Sequence, residues 1–350
     1  MKAYINSVGV ISPQPTFGGS FLAEGMTEYD QQVLHCIEPD YKTVIDPVKL
    51  RRMSRILKMG LGASGVCMQR SGVKPDAVVV GTGLACLNDL EKFFFSVKNE
   101  NEQFLSPIPF INSSHNMISS QIAIANKLNG YNMTYIHNAL SFENALLDAL
   151  MQINEGSAQN VLLGGIDECT EQLHTMTENQ NCWRKDRFLN TSLFDDDLPG
   201  TLFGEGSAFF MLGDKLTDGS LANVVSALAV VKRDIDIKVE VEALLERSNL
   251  SLGDIDTIVV GRNGDNRTDS LYEPLENLLP LANVVCYKHL CGEYLTSSAF
   301  AMWLSANMLH NGQIPQFAIR RRGLSSNVSR VLIYNQYAGV EHSFILIESV

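Results

Sequence analysis

The sequence predicts an α/β protein with a largely parallel sheet covered by helices on both faces, in which the order of elements occurs twice. Short apolar runs bounded by glycine or proline alternate with segments of helical periodicity. The same alternation begins again after a polar break at 215–223. In addition, the helix predicted over 140–155 is apolar on nearly every side, so it must be buried on most of them.

The first half, about residues 1–215, contains five predicted strands and three predicted helices. The strands are the apolar or alternating runs KAYINSVGVIS, DAVVVGTGL, NMTYIHN, NVLLGGIDE and GEGSAFFMLGD. Apolar residues recur at helical spacing over 47–72, 116–130 and 140–155. Strands that alternate with helices in this way favour parallel pairing, since parallel strands need a long crossover connection.

The second half, about residues 220–350, repeats this order. Its predicted strands are VVSALAVVKR, IDTIVVGR, NVVCYKH, RVLIYNQY and HSFILIES, and its predicted helices cover 236–248, 269–279 and 294–309. Each half has an apolar helix that ends in a glycine turn, and each closes on a β run. We therefore expect one domain over 1–350, with two similar sheets packed back to back through shared buried helices.

The composition is that of a globular protein long enough to bury a large core. The chain has 350 residues, of which 45% are hydrophobic and 19% are charged. No run approaches the roughly 20 apolar residues that span a bilayer, and the first residues lack the apolar stretch of a secretory signal. These features favour a cytoplasmic location and no membrane partner.

Charge and cysteine usage exclude further classes of protein. The net charge of −12 argues against a nucleic-acid partner, which requires a concentrated basic face. The seven cysteines form no CxxC pair, which is typical of reduced core residues. Because no histidine is spaced as a ligand beside another histidine or a cysteine pair, we expect no metal site and no cofactor.

Three segments together resemble a known family. They are RRMSRILKMGLGAS at 51–64, INEGSAQNVLLGGIDE at 153–168 and LFGEGSAFFMLGD at 202–214. In this order and at these separations they resemble the β-ketoacyl synthases, which have the thiolase fold. The resemblance covers most of the chain. It implies five layers, αβαβα, built from two βαβαβαββ halves.

The chemistry that this resemblance implies depends on four side chains. A cysteine at the start of a buried helix accepts an acyl group from a carrier protein, because the helix dipole favours its thiolate. Two histidines donate hydrogen bonds to the enolate that forms on decarboxylation, and a nearby lysine holds the surroundings of the histidines.

Matching those motifs to this sequence indicates that the reactive side chains are missing. The cysteine position falls on Ala139, the first histidine on Arg262 and the second histidine on Glu293, whereas Lys288 is retained. Alanine has no nucleophile, arginine cannot act as a neutral base, and a carboxylate would repel an enolate. Loss of a nucleophile costs about a million-fold in rate, so we do not expect this chain to catalyse condensation alone.

The pattern is similar to that of a chain length factor, an inactive ketosynthase-like subunit of type II polyketide and fatty-acid systems. Related factors serve aryl polyene and flexirubin-type pigments. The resemblance implies that the chain pairs with an active β-ketoacyl synthase or with itself and meets an acyl carrier protein. Residues 131–139 would lie at the subunit interface, and residues 101–120 would help to shape the acyl tunnel.

Several local interpretations stay open at this stage. Arg262 and Glu293 either form an internal ion pair or point into a solvated pocket. Basic clusters either steer an acidic carrier protein or form ordinary solvated faces; their members are Arg51, Arg52, Arg55 and Lys58, and Arg320, Arg321 and Arg322.

Two other functions are also open. A re-invented acyltransferase site could use Cys291 and His289 with His137 nearby, although a nucleophile also needs a positioned base and an oxyanion hole. Alternatively, the chain is a free-standing homodimeric acyl-binding or scaffold protein.

Overall fold

The computed structural model describes residues 3–18 and 25–350. The ten strands predicted from apolar runs all form in these residues. The strand bounds are β1 (Ala3–Ile11), β2 (Val33–Leu34), β3 (Ala77–Gly81), β4 (Tyr131–Tyr135), β5 (Asn160–Asp167), β6 (Phe203–Gly204), β7 (Gly206–Gly213), β8 (Ala222–Val231), β9 (Thr257–Val260), β10 (Asn283–Cys286), β11 (Ile319–Arg321), β12 (Arg330–Tyr337) and β13 (Glu341–Glu348). The short β2, β6 and β11 are additional to the predicted strands.

The helices of the same residues include long core helices and short peripheral ones. Their bounds are α1 (Pro47–Leu50), α2 (Arg55–Ser71), α3 (Leu87–Asn99), α4 (Pro107–Asn112), α5 (Met117–Asn126), α6 (Ser141–Asn154), α7 (Glu171–Glu178), α8 (Ile237–Glu246), α9 (Glu273–Leu278), α10 (Lys288–Cys291) and α11 (Ser298–Asn311).

The strand order confirms that the fold is doubled. In the first half the order is β4-β3-β5-β7-β1, and in the second half it is β10-β9-β12-β13-β8, with the short β11 paired to the outer side of β10. Apart from β11, each half therefore has β4 or β10, its third predicted strand, at one end and β1 or β8, its first, at the other. Within each half, the second strand pairs parallel with the third and fourth strands.

The two halves are joined more closely than the sequence predicts. Instead of two separate sheets, β1 and β8 pair antiparallel, with Ala3 opposite Val224 and Ile5 opposite Ala222, so one sheet of eleven strands results. The layered arrangement is still five deep. Helices α6 and α11 share one core with strands of both halves, α2 and α5 cover the outer face of the first half, and α8 and α9 cover that of the second.

The central helices are buried because their sequences are apolar on nearly every side. In α11, 11 of the 14 residues are buried, and Phe142 in α6 is completely buried. Glycines let these helices approach the sheet closely. A Cβ on Gly81 would lie 2.4 Å from the Ser141 carbonyl oxygen, and one on Gly165 would lie 2.6 Å from the Ala299 Cβ. Any larger residue at these positions would push a central helix outward.

Some boundaries differ from the sequence prediction. The helix expected over 47–72 is broken into α1 and α2, and α2 begins after Ser54. The helix expected from 294 begins only at Ser298. Helices α3, α4, α7 and α10 are not predicted by the sequence pattern. Because α3 buries only Asp89 and α4 buries no residue, neither contributes a clear core-facing stripe.

Asp167, at the end of β5, connects the two halves near the centre of the molecule. Its Oδ1 accepts hydrogen bonds from the Thr82 hydroxyl and from the backbone N–H groups of Gly83 and Leu84. Its Oδ2 accepts from the backbone and hydroxyl of Thr296. This buried carboxylate therefore holds the start of the second central helix against the end of β3. Across 3–18 and 25–350, no helix has the length and apolar character to cross a bilayer.

Candidate functional site

Ala139 lies at the start of the buried helix, where the sequence predicts it. A short 3₁₀ turn over Asn138–Leu140 leads directly into α6. Asn138 has a φ of +49°, and the Ser141 hydroxyl accepts the His137 backbone N–H at 2.8 Å. The tight turn thus presents the Ala139 methyl group at the tip of the helix. Ala139 is buried and offers no atom that can attack a thioester.

A carboxylate of the protein itself occupies the anion-binding position at this helix start. Glu341 Oε2 accepts the Ala139 backbone N–H at 3.0 Å, and both carboxylate oxygens accept from Asn138 Nδ2 at 3.2 Å. The first N–H groups of a helix favour negative charge because they have no partner within the helix. An oxyanion formed here would therefore meet a fixed negative charge and a donor that is already engaged.

The second cluster joins three residues of the second half. Lys288 Nζ donates to the two carboxylate oxygens of Glu293 at 2.8 and 2.7 Å, and Asn263 Nδ2 donates to Oε2 at 2.8 Å. Lys288 is 1% exposed, and the Glu293 side chain is 14% exposed. Glu293 and Lys288 thus form a nearly dry ion pair. Neither side chain is free to polarise a thioester.

The ion pair between Arg262 and Glu293, one of the two alternatives left open by the sequence, does not form. Arg262 Nε instead donates to Glu276 Oε1 of α9 at 2.6 Å. Arg262 and Asn263 are adjacent after β9 but contact opposite sides of the sheet: Arg262 reaches the outer helical layer, and Asn263 reaches the central cluster. Asn263, the next residue along the chain, therefore makes the contact with Glu293 that the sequence suggested for Arg262.

A small cavity opens beside Glu293. Its volume is about 110 Å³, and its walls include Leu84, Leu173, Trp183, Phe203 and Tyr337. The Trp183 and Phe203 rings lie 4.4 Å apart, and Trp183 donates through Nε1 to the Thr177 hydroxyl at 2.7 Å. The centre therefore keeps an apolar, aromatic-lined space although it lacks the reactive side chains.

Arg55 has an internal role rather than the carrier-binding role considered from the sequence. Its two terminal nitrogens donate to the two oxygens of buried Glu205, each at 2.6 Å, and its Nε donates to Glu38. Burial opposes ionisation of Glu205, but hydrogen bonds from His35 and Arg55 outweigh it and lower the pKa of Glu205 to about 2. Arg51 and Arg52 are exposed and Lys58 is half-buried, so these three stay candidates for a carrier contact.

One group of potential metal ligands occurs in the described residues. Donor atoms of His35, Cys169 and Glu205 all lie within 4.8 Å of one another. However, the two Glu205 oxygens already accept hydrogen bonds from Arg55 and from the backbone N–H groups of Cys36 and Cys169. A cation would have to displace the guanidinium, and burial keeps the pKa of the Cys169 thiol well above its usual value. These residues do not fit a metal ion.

The residues considered for a re-invented site are not joined to one another. Cys291 is completely buried, and burial keeps the pKa of its thiol well above the usual value. Burial lowers the pKa of His289 to about 4, and its Nε2 lies 2.9 Å from the Phe317 carbonyl oxygen. His137 is exposed and contacts Asn144. In the described ranges, no hydrogen bond links these three side chains.

The second basic cluster is also partly engaged. Arg320 lies over the Phe194 ring at 5.5 Å, Arg321 donates to the carbonyls of Glu276 and Leu279, and Arg322 donates to Gln316. These contacts hold the segment around β11 in place. They leave Arg320 and Arg322 at the surface.

The first half exposes several large apolar side chains, some of them on the edge strand of the sheet. Strand β4 is the edge strand of the sheet, and its Tyr131 and Met133 side chains are about 40% exposed. Helices α3 and α4 and the loop between them expose further large apolar residues, namely Phe94, Phe95, Phe104, Ile108, Phe110 and Ile111. Extended exposed apolar surface of this kind is typical of a protein interface. It overlaps segments 131–139 and 101–120, for which the family resemblance implies a subunit interface and a tunnel wall.

Sequence reasoning missed Glu341 and Asn263. Glu341 is 202 residues from Ala139 along the chain, and no local pattern relates the two. Asn263 had a usable signal, because it directly follows Arg262 and a shift of one residue in the alignment brings it to the position of the family's first histidine.

Comparison with known proteins gives the same fold. A structure described as the ishigamide ketosynthase/chain length factor superposes with a TM-score of 0.82 at 16% identity, covering 100% of this chain and 99% of that one. A type II PKS acyl-carrier protein in complex with its ketosynthase gives 0.76 at 13%, covering 100% and 99%. A ketosynthase (ApeO) in complex with its chain length factor (ApeC) from Xenorhabdus doucetiae gives 0.77 at 13%, covering 99% and 98%.

The match to a family model is more direct. No curated protein matches the sequence, but the model of the β-ketoacyl synthase N-terminal domain matches residues 32–217, more than half of the chain. The doubled strand order and the buried central helices agree with that match. The chain therefore belongs to the β-ketoacyl synthase family.

Proposed function

We propose that this chain is a non-catalytic ketosynthase-like subunit, a chain length factor, that pairs with an active β-ketoacyl synthase and shapes its acyl tunnel. The contact between the Glu341 carboxylate and the Ala139 backbone N–H carries this proposal. Substitution of the nucleophile removes the attacking atom, and Glu341 also engages an N–H that a tetrahedral oxyanion would use. Two independent requirements of acyl transfer are thus absent at the same helix tip.

The second cluster supports the same proposal. Where the family places its two histidines, we assign Asn263 and Glu293, with the retained Lys288 neutralising Glu293. The Asn263 amide already donates to Glu293, and a carboxylate only accepts hydrogen bonds, so the two positions do not supply the pair of donors that an enolate needs. The surrounding backbone is kept, so the positions serve packing rather than chemistry.

The partner surface is the apolar edge of the first half. Because β4 is an edge strand, its outer N–H and C=O groups can pair with the edge strand of another chain. Helices α3 and α4 also expose large apolar side chains, and a partner with the same fold that covered them together with β4 would bury apolar area on both chains. A ketosynthase in complex with its chain length factor is among the solved structures of the same fold, which supports this type of pairing.

A carrier protein is the second proposed partner. The exposed Arg51 and Arg52, with half-buried Lys58, form a basic group on an acidic chain. Such a group can steer an acidic carrier protein toward the assembled pair. A solved neighbour described as an acyl-carrier protein in complex with its ketosynthase is consistent with this expectation.

Co-expression with a ketosynthase from the same organism tests the proposal. We expect the two chains to co-purify as a one-to-one complex and expect condensation activity only from the complex. The same assay with the partner's nucleophilic cysteine changed to alanine must abolish activity, because this chain contributes none. Activity of this chain alone, or a stable homodimer that ignores the synthase, would overturn the assignment.

A free-standing homodimeric acyl-binding or scaffold protein is the alternative that the apolar edge also permits. The edge strand can pair with a second copy as well as with a related chain. Mass measurement of the chain expressed alone and with the synthase separates the two, since the alternative predicts the same homodimer in both samples. The re-invented acyltransferase receives no support, because Cys291 is buried and protonated.

A further inference from the structure

The small cavity beside Glu293 combines aromatic walls with carboxyl groups. Its volume of about 110 Å³ suits a group of a few heavy atoms, well below the size of a drug-like pocket. Trp183, Phe203 and Tyr337 supply rings, and Glu168 and Glu293 supply carboxyl groups to its lining. Both types of group attract positive charge, the rings through their electron-rich faces.

The surroundings of the cavity contain more acidic than basic side chains. Arg55 is paired with Glu205, and Lys288 is paired with Glu293. Within the described part of the chain, neither Asp89 nor Glu168 has a basic side chain within 4 Å. Two buried carboxyl groups are thus left without a counter-charge.

These two groups are also short of hydrogen-bond donors. Glu168 is 5% exposed, and its Oε1 accepts only the Asn88 backbone N–H, at 3.0 Å. Asp89 is 5% exposed, and its Oδ2 is buried with no hydrogen-bond partner. Burial raises the pKa of Glu168 to about 7. The negative charges of Asp89 and Glu205 act in the same direction and exceed the opposite effect of Arg55. By contrast, the Asp167 carboxylate accepts five hydrogen bonds and needs no further donor.

The groups that line the cavity favour an organic cation over a metal ion or an alkyl chain. The group of potential metal ligands in the described residues is centred on His35, Cys169 and Glu205, and it includes neither Glu168 nor Asp89. Aromatic faces prefer diffuse, weakly hydrated charge, as in quaternary ammonium groups. An uncharged alkyl chain would fill the space but leave Glu168 without a counter-ion.

We propose that this cavity binds a small organic cation, an alkylammonium or quaternary ammonium group, against Trp183, Phe203 and Tyr337 with Glu168 as its counter-ion. This site goes beyond the proposed subunit role and does not depend on it. The three rings enclose the cation, and the Glu168 carboxylate neutralises it. The ion pair of Lys288 and Glu293 forms one side of the site and does not itself bind the cation.

Choline and 3,3-dimethylbutan-1-ol test the proposal on the purified full chain. The two molecules have the same shape and differ in charge, so the comparison needs no variant. Titrations at pH 8, measured by calorimetry and by tryptophan fluorescence, give both affinities. We expect choline to bind at least about tenfold more tightly than the alcohol. Equal affinities would overturn the proposal and indicate an apolar pocket, and binding of neither molecule at roughly millimolar concentrations would overturn it as well.

Matched variants assign the counter-ion. Glu168→Gln keeps the acceptor for the Asn88 N–H but removes the charge, whereas Glu171→Gln changes an exposed residue in the first turn of α7. We expect choline affinity to fall about tenfold in Glu168→Gln and to stay unchanged in Glu171→Gln. An unchanged affinity in Glu168→Gln excludes Glu168 as counter-ion. Because these titrations use the chain alone, failure here leaves the proposed subunit pairing untouched.

Discussion

The Glu341 carboxylate accepts the backbone N–H of Ala139 at 3.0 Å, so a negative charge is fixed at the tip of the helix where the family's nucleophile would stand. The contact joins the turn between β4 and α6 to the start of β13, the last strand in the chain. It means that restoring a cysteine at this position does not restore its reactivity, because a nearby carboxylate disfavours a thiolate.

The first prediction concerns that thiol. In Ala139→Cys, we expect the pKa of the new thiol to lie above the ordinary value of about 8.5 because of Glu341 and burial. In Ala139→Cys with Glu341→Gln, we expect that pKa to fall by about one unit or more. The pH dependence of iodoacetamide alkylation, followed on the peptide that contains residue 139 by mass spectrometry, measures both. Identical profiles for the two variants would show that Glu341 does not control this position.

The second prediction concerns the buried pair of Lys288 and Glu293. Glu293→Ala leaves the Lys288 ammonium buried without a partner, so we expect a loss of about 3–5 kcal/mol in the free energy of unfolding. Replacing both residues by apolar ones, Lys288→Met with Glu293→Leu, should recover most of that loss. Urea denaturation gives the values.

The surface pair Lys238 and Glu242 serves as the control for this experiment. Their side chains are 64% and 43% exposed and lie 3.8 Å apart. Glu242→Ala should therefore change the free energy of unfolding by less than about 1 kcal/mol. If Glu293→Ala costs no more than this control, Lys288 is not a buried charge in solution.

The third prediction concerns pH. Burial lowers the pKa of His289 to about 4, below the ordinary value of 6.5, so the folded state binds fewer protons than the unfolded chain between these values. The contribution of neutral His289 is therefore complete above pH 6.5 and is lost as the pH falls toward 4, by about 3 kcal/mol in all.

The His289→Gln variant isolates this effect. Its amide can donate to the Phe317 carbonyl but cannot titrate, so the difference in free energy of unfolding between wild type and variant should shrink or reverse from pH 7.5 to pH 4.5. Glu168 has the opposite effect on stability. Because its pKa is raised to about 7, the folded state binds its proton at a higher pH than the unfolded chain does, so its contribution to stability falls as the pH rises. A difference curve that is flat with pH would mean that His289 is not buried as neutral imidazole.

The fourth prediction concerns the exposed edge. Met133→Lys places a charge on β4 at the proposed interface, so we expect loss of the complex with the synthase, a change of at least about 2 kcal/mol in binding free energy. Val239→Lys is the control, because Val239 is 56% exposed on α8 in the other half. Size-exclusion chromatography with mass detection reports the complex. A complex that survives Met133→Lys places the interface elsewhere.

Much of the fold was predictable because local patterns encode burial. The five strands of each half and the two central helices follow from apolar runs and periodicity, which depend only on residues close in sequence. Helices α3 and α4 were not predictable in the same way. Their large apolar side chains point away from the core, and the pattern cannot distinguish a surface kept for a partner from one turned inward.

By itself, the sequence determined the doubled α/β arrangement and the presence of alanine at the tip of the central helix, since both are read from residue type and order. Only the tertiary structure decided that β1 and β8 join the halves, that Glu341 caps Ala139, and that Asn263 rather than Arg262 meets Glu293. The reason is physical. Periodicity specifies which face of an element is buried, whereas contacts between charged groups far apart in the chain depend on how packed elements are oriented, and a shift of one residue changes the partner.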